Sequence, residues 1–275
     1  MARTFSTPPG DGRRPARRGP GVRAALTAVT AAATLAACSA PPPADGSAPP
    51  GVTGTITVFA AASLTDAFEE IAEDFETANP GARLVFNFAG SSALATQITE
   101  GAPADVFASA SPATLRTVTD AGLADRDPVV FVRNQLVIAV EAGNPLGIRG
   151  LEDLARPGVT VALCAEQVPC GAAARTAIAA SGLTITPVSY EENVRAALAK
   201  VSLGEVDAAL VYRTDAASAD AVEAVEFPES AEAINDYLIA VLTDAPNKAG
   251  AAAFVAWVLS PEGAEVLTTY GFQLP

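Results

Sequence analysis

From Thr55 onward, apolar residues follow two alternating rhythms. Short apolar runs of strand length, such as Ile56-Thr57-Val58-Phe59-Ala60, give way to segments with apolar residues at i, i+3 and i+4. The first such segment aligns Leu64, Ala67, Phe68, Ile71, Ala72 and Phe75 on one helical stripe. Glu69, Glu70, Glu73, Asp74 and Glu76 fall on the opposite face, and Asn79-Pro80-Gly81 stops the pattern. The rhythm predicts strands at 55–60, 84–88 and 105–108, with helices near 63–78 and 91–100. Ser111-Pro112 opens a further helix, with serine as cap and proline at the first helical position. A second series has strands at 135–140, 159–163, 184–188 and 207–212 and helices near 171–181, 191–202 and 213–219. A late strand over 237–242 precedes helices near 246–259 and 261–269. This alternation predicts an α/β fold of mostly parallel sheets with helices on both faces.

Two segments are alike: Asn134-Gln135-Leu136-Val137-Ile138-Ala139-Val140 and Asn235-Asp236-Tyr237-Leu238-Ile239-Ala240-Val241. If both are crossings, the chain builds one lobe, leaves it to build a second, and returns. Residues 54–133 and 237–275 then form lobe 1, and residues 134–236 form lobe 2. A ligand would sit in the cleft, at helix N-termini near the carboxyl ends of strands.

The first 53 residues follow neither rhythm. An arginine-rich stretch reaching Arg23 precedes an alanine-rich apolar run too short to span a bilayer as a stable helix. It ends in Leu35-Ala36-Ala37-Cys38, which looks like a bacterial lipobox. Residues 1–37 therefore read as a lipoprotein signal peptide with Cys38 as the lipidated residue. The pairs Arg13-Arg14 and Arg17-Arg18 leave twin-arginine export open beside the general route. Residues 38–53 are rich in proline and small residues and read as a disordered tether. A chain so anchored would stand at the outer face of the cytoplasmic membrane and serve something in that membrane, as a transporter does.

Charge and composition narrow the chemistry. The 275 residues carry a net charge of −14, and loss of the leader leaves 11 positive and 30 negative side chains, a net −19. That balance excludes a nucleic-acid binder. It also repels small anions at long range, so any anion site must work through short, aimed donors. There is no histidine, which removes Ser-His-Asp and Cys-His catalysis and the commonest metal ligand.

Two strand ends then stand out. Val58-Phe59-Ala60-Ala61-Ala62-Ser63-Leu64 and Phe88-Ala89-Gly90-Ser91-Ser92 each run a strand into a serine that opens a helix. Such a junction offers a hydroxyl, free backbone N–H groups and the positive end of the helix dipole, which together bind anions without a charged residue. Ser63 and Ser91 read as helix caps whose geometry is lent to a ligand, with Ala62 and Ser92 beside them adding an N–H or a cap.

These two stretches resemble the molybdate-binding proteins of ABC importers. So do Gly101-Ala102-Pro103-Ala104-Asp105-Val106-Phe107, Val168-Pro169-Cys170-Gly171, Glu192-Asn193-Val194-Arg195-Ala196-Ala197-Leu198, Leu210-Val211-Tyr212 and Tyr270-Gly271-Phe272. The resemblance runs from about Thr55 to the C-terminus. It implies a two-lobed, type II periplasmic-binding-protein fold holding one molybdate or tungstate between the lobes. Carried over by motif, the ligand set is the hydroxyls of Ser63 and Ser91, the backbone N–H groups of Cys170 and Val194, and the hydroxyl of Tyr212. It further implies a membrane permease as partner, a monomeric protein, and neither a catalytic residue, a cofactor nor a bare metal cation. Molybdate is a dianion with no proton to give, so donors alone can meet it.

Cys170 falls where the family often has a small residue such as alanine. Export implies an oxidising compartment, and Cys164 and Cys170 form an even set once Cys38 is set aside, so a disulfide between them is expected. Arg83, Arg133, Arg175, Arg195 and Arg213 read as surface or ion-pair residues, with Arg195 and Arg213 turned away from the cleft. Three alternatives stay open: the same fold binding sulfate or another small oxyanion, a secreted enzyme with Ser63 as nucleophile, and an envelope scaffold.

Overall fold

The computed structural model describes residues 51–275. The expected leader, the lipidation site at Cys38 and the tether as far as Pro50 lie outside the described residues. The described chain opens with β1 (Thr53–Ala61), α1 (Thr65–Ala78), β2 (Gly81–Ala89) and α2 (Ser91–Thr99). It continues through β3 (Val106–Ser109), α3 (Pro112–Asp120) and β4 (Val129–Asn134). Next come β5 (Leu136–Glu141), α4 (Leu151–Leu154), β6 (Val161–Cys164), α5 (Pro169–Ser181), β7 (Ser189–Glu191) and α6 (Val194–Ser202). The middle part ends with β8 (Ala208–Tyr212), α7 (Arg213–Ala217) and β9 (Val222–Val225). The chain then returns through β10 (Asn235–Val241), α8 (Lys248–Val258) and α9 (Pro261–Thr269).

Two five-stranded sheets result, ordered β2-β1-β3-β10-β4 and β7-β6-β8-β5-β9. They share one wiring plan. In each, three strands run parallel (β2, β1 and β3; β7, β6 and β8) and two further strands pair antiparallel (β10 and β4; β5 and β9). The two similar segments noted in the sequence are β5 and β10. They occupy the same place in their respective sheets, each beside the last parallel strand. The chain passes between sheets at Asn134-Gln135-Leu136 and again ahead of Asn235, and Asn134 and Asn235 face each other in register where β4 and β10 pair.

The first sheet is packed by aromatic residues. The amphipathic stripe of α1 buries Ala67, Phe68, Ile71, Ala72 and Phe75. The ring of Phe254 from α8 meets Phe68 at 5.8 Å and Phe75 at 5.7 Å, both edge-to-face. The second sheet is packed by aliphatic residues, with Leu136–Val140 and Ala208–Val211 wholly buried. Apolar on both faces, these strands read as continuous hydrophobic runs. Ser111 caps α3 as its sequence predicts, its hydroxyl accepting the Thr114 N–H at 3.2 Å with Pro112 in the first turn. Asp105, within the Pro-Ala-Asp-Val-Phe stretch, is structural: its buried carboxylate accepts the N–H groups of Thr57 at 2.7 Å and Asn247 at 2.6 Å.

The expected strand at 184–188 is not formed; the strand is β7, over Ser189–Glu191, paired to β6 from Ala162↔Ser189. Pro187 explains the shift, because it has no N–H to give a ladder and holds the preceding chain out of register. The strands β4 and β9 carried no clear period-2 signal and were not anticipated.

Candidate functional site

Four chain starts converge between the sheets. Ser63 lies in a 3-10 turn, Ala62–Leu64, between β1 and α1. Ser91 is the first residue of α2, Cys170 the second of α5 and Val194 the first of α6. The first N–H groups of a helix have no partner within it, so the backbone donors of Cys170 and Val194 are free to serve whatever occupies the space in front of them. Tyr212 ends β8 at the entry to α7. All five residues singled out from sequence line one cavity of about 220 Å³. Its walls are completed by small residues such as Ala62, Gly90 and Ala110, and among the described residues no charged side chain lines it.

The serine hydroxyls are not helix caps, contrary to the sequence expectation. The residue before α2 is Gly90, and neither α1 nor α2 has a side-chain cap. A cap must sit one residue before the helix and accept from its first turn, whereas Ser63 lies inside the 3-10 turn, two residues ahead of α1, and Ser91 is already the first residue of α2. Ser91 Oγ instead accepts the Ala110 N–H at 3.1 Å, and Ser63 Oγ lies 2.8 Å from the hydroxyl of Tyr237. Ser92 points elsewhere: its hydroxyl donates to the Gln167 carbonyl at 2.6 Å, joining α2 to the loop before α5. Asn193 does cap, accepting the Ala196 N–H at 3.0 Å, which fixes the start of α6 and the Val194 N–H with it.

Tyr212 is buried and its phenol is held well above the ordinary range, chiefly by burial and then by Tyr237 beside it. It therefore stays a protonated donor. Asn235 donates its amide to the Tyr212 oxygen at 2.8 Å. Sequence reasoning missed Tyr237, Asn134 and Asn235 as parts of the site. The only signal was the repeated asparagine opening both similar segments.

Cys164 and Cys170 are joined by a disulfide, closing the loop between β6 and α5. The same loop holds Gly171 tightly, since a Cβ there would lie 2.0 Å from the Ala165 carbonyl oxygen. The disulfide and this close approach fix the turn that presents the Cys170 N–H.

Arginines stay off the cavity, as expected, and Arg195 is an ion-pair residue. It pairs with Asp66 of α1 and, at 3.1 Å, with the fully buried Asp215 of α7. Burial pushes the Asp215 carboxyl up to about 7, with Arg195 opposing and Asp66 adding to the rise. Arg213 pairs with Glu226 at 2.8 Å and Arg133 with Asp236 at 2.7 Å. No group of three or more His, Cys, Asp or Glu side chains suited to a metal ion occurs among the described residues.

Two α/β sheets of one plan, joined by paired crossings, with a donor-lined and uncharged cavity between them, make a two-lobed binding protein. Residues 56–273 match the family model for bacterial extracellular solute-binding proteins. The molybdate-binding protein ModA of Mycobacterium tuberculosis is 46% identical over 259 residues, covering 93% of this chain and 98% of that one. Among solved structures, the substrate-binding domain of a putative molybdenum ABC transporter from Clostridium difficile superposes with a TM-score of 0.62 at 26% identity, over 80% of this chain and 99% of that one. The periplasmic molybdate-binding protein of Azotobacter vinelandii shares the fold, with a TM-score of 0.70 at 21% identity over 80% and 99% of the two chains. The chain belongs to the bacterial extracellular solute-binding proteins, within their molybdate-binding ModA group.

Proposed function

We propose that this protein captures molybdate, and tungstate beside it, outside the cytoplasm and hands it to an ABC-type membrane importer. The observation that carries the reading is the cavity itself, free of charged side chains and faced by hydroxyls and helix-start N–H groups from both lobes. In this reading Ser63, Ser91 and Tyr212 donate through hydroxyls and Cys170 and Val194 through backbone N–H groups. Hydrogen bonds to a charged partner are each worth about 1.5–3 kcal/mol. Five of them support sub-micromolar binding after the costs of association. A site of hydroxyl and N–H donors without a carboxylate suits a fully ionised dianion and disfavours hydrogen phosphate, which must donate a proton.

Residues 54–133 with 237–275 act as one lobe and residues 134–236 as the other, turning about the crossings at Asn134 and Asn235. The Ser92–Gln167 hydrogen bond and the Asp66–Arg195 pair join the lobes across the cleft. They are contacts of a closed form, and closure driven by them and by the ligand is a hinge-type population shift. The protein is not an enzyme in this reading; it works as a monomer, tethered to the outer face of the cytoplasmic membrane by lipid on Cys38.

Calorimetry on the full-length protein with molybdate, tungstate, sulfate and phosphate tests the proposal. Tight molybdate and tungstate binding with weak or absent sulfate and phosphate binding is expected. Tight sulfate binding, or no molybdate binding, overturns it. Palmitate labelling that persists after Cys38→Ala overturns the anchor.

A further inference from the structure

Behind the cavity lies a buried polar layer, and two backbone groups fix how its two asparagines are turned. The Ala110 carbonyl can only accept, and the Asn235 side chain meets it at 2.7 Å, so the amide nitrogen of Asn235 faces Ala110. The second N–H of that nitrogen then meets the Tyr212 oxygen at 2.8 Å. Tyr212 is thereby an acceptor on its inner side. The N–H of the same Ala110 occupies Ser91 Oγ at 3.1 Å. On the other side, the Gln135 N–H can only donate, and it meets Asn134 Oδ1 at 3.0 Å. The Asn134 nitrogen must therefore face Thr214 Oγ1 at 2.8 Å and the Tyr237 oxygen at 3.5 Å. The Tyr237 hydroxyl in turn lies 2.8 Å from Ser63 Oγ, where either oxygen can supply the proton. Buried donors thus occupy the inner side of Ser91 and Tyr212, and a Tyr237 proton directed at Ser63 would complete the set, turning all three cavity hydroxyls outward as donors.

We infer that Tyr237, Asn134 and Asn235 are positioning residues that fix the cavity hydroxyls as donors and so select a fully ionised oxyanion over a protonated one. The inference rests on the oxyanion function proposed above. Asn134 and Asn235 are register partners at the two chain crossings, so the layer that polarises the hydroxyls is built where the lobes turn. Tyr237 is wholly buried, with its ring against Phe131, Tyr212 and Phe272, and burial holds its phenol far above the ordinary range. It remains a donor at every working pH.

Tyr237→Phe removes one hydroxyl and keeps the ring. The Ser63 hydroxyl is then free to rotate and turn a lone pair toward a protonated ligand. On full-length protein, calorimetry should show molybdate affinity about three- to tenfold weaker, the effect of one neutral hydrogen bond. The preference for molybdate over hydrogen phosphate should fall further than that. Because Tyr237 acts through Ser63, Tyr237→Phe added to Ser63→Ala should cost nothing more. Should Tyr237→Phe melt early, Asn134→Asp serves: its carboxylate draws the Tyr237 proton away from Ser63, and the same drop in preference is expected. Additive losses in the double variant, or weaker molybdate binding with unchanged preference over hydrogen phosphate, overturn the inference while wild type still binds molybdate. Wild type that binds no molybdate overturns the proposed function and this inference with it.

Discussion

The lobes meet in two places of opposite character. In the cavity every wall is uncharged and anchored donors converge. Nearby, Asp66, Arg195 and Asp215 form a seam of charges from α1, α6 and α7. An arginine in the cavity would seem the simplest anion ligand. The protein instead sets Arg195 between two carboxylates and leaves the cavity to neutral dipoles. A cage of oriented dipoles distinguishes ligands by proton count and size, whereas a guanidinium attracts any anion. The seam contributes to closure and to the balance of the fold, and the cavity contributes selectivity. The two functions can therefore be broken separately.

The largest expected effect is on the seam and appears in stability. Asp215 titrates at about 7 when folded, against an ordinary 3.8. A raised folded value means the group's contribution is fully present below pH 3.8 and is lost as pH rises through about 7. Asp215→Asn lacks that term. Its stability relative to wild type should rise across this window, by on the order of 4 kcal/mol at full swing, and level off above it. Urea melts at pH 4, 6 and 8 measure the gap; a gap independent of pH would show that Arg195 already holds the carboxylate ionised.

Next comes the backbone where the cavity closes. A Cβ on Gly90 would sit 2.4 Å from the Glu192 carbonyl oxygen, a contact between α2's entry and the loop before α6. Gly90→Ala should keep both lobes folded but hold them apart, weakening molybdate binding on the order of a hundredfold. Scattering should show the variant failing to compact on adding molybdate. Ser91→Ala should cost somewhat less, about tenfold or more, the loss of one hydrogen bond to a charged ligand. It leaves the seam untouched, so its pH profile of stability should match wild type.

Much of this division is visible along the chain, and the reason is local. Strand-to-helix junctions announce themselves within ten residues, which made Ser63 and Ser91 legible, whereas Cys170, Val194 and Tyr212 came only with the resemblance to molybdate-binding proteins, carried by motifs spread along the chain. The disulfide followed from compartment and cysteine count. The supporting layer was hidden because its partners are far apart in sequence: Ser63 and Tyr237 are separated by 174 residues, Asn134 and Tyr237 by 103. No periodicity connects them; only the return of β10 beside β4 does. The twin asparagines hinted at it, as the first residues of two segments that fill equivalent places in two sheets. Arg195 was expected to turn from the cavity and to sit at the surface or in an ion pair, but its partners Asp66 and Asp215 were hidden for a related reason: they lie far from it in sequence and meet it only in the fold.

The smallest effect isolates the interlobe arm of the seam. Asp66→Asn removes one partner of Arg195 and leaves the buried Asp215 paired. Both Asp66 and Arg195 are about one-third exposed, so water screens their attraction and the pair is worth well under 1 kcal/mol. If it acts only by favouring the closed form, molybdate affinity should fall about two- to threefold at low salt, and the difference should vanish near molar salt. The preference for molybdate over hydrogen phosphate should not move, since no cavity hydroxyl is disturbed. A change in that preference would mean that the seam also shapes the cavity, and the separation of the two regions would fail.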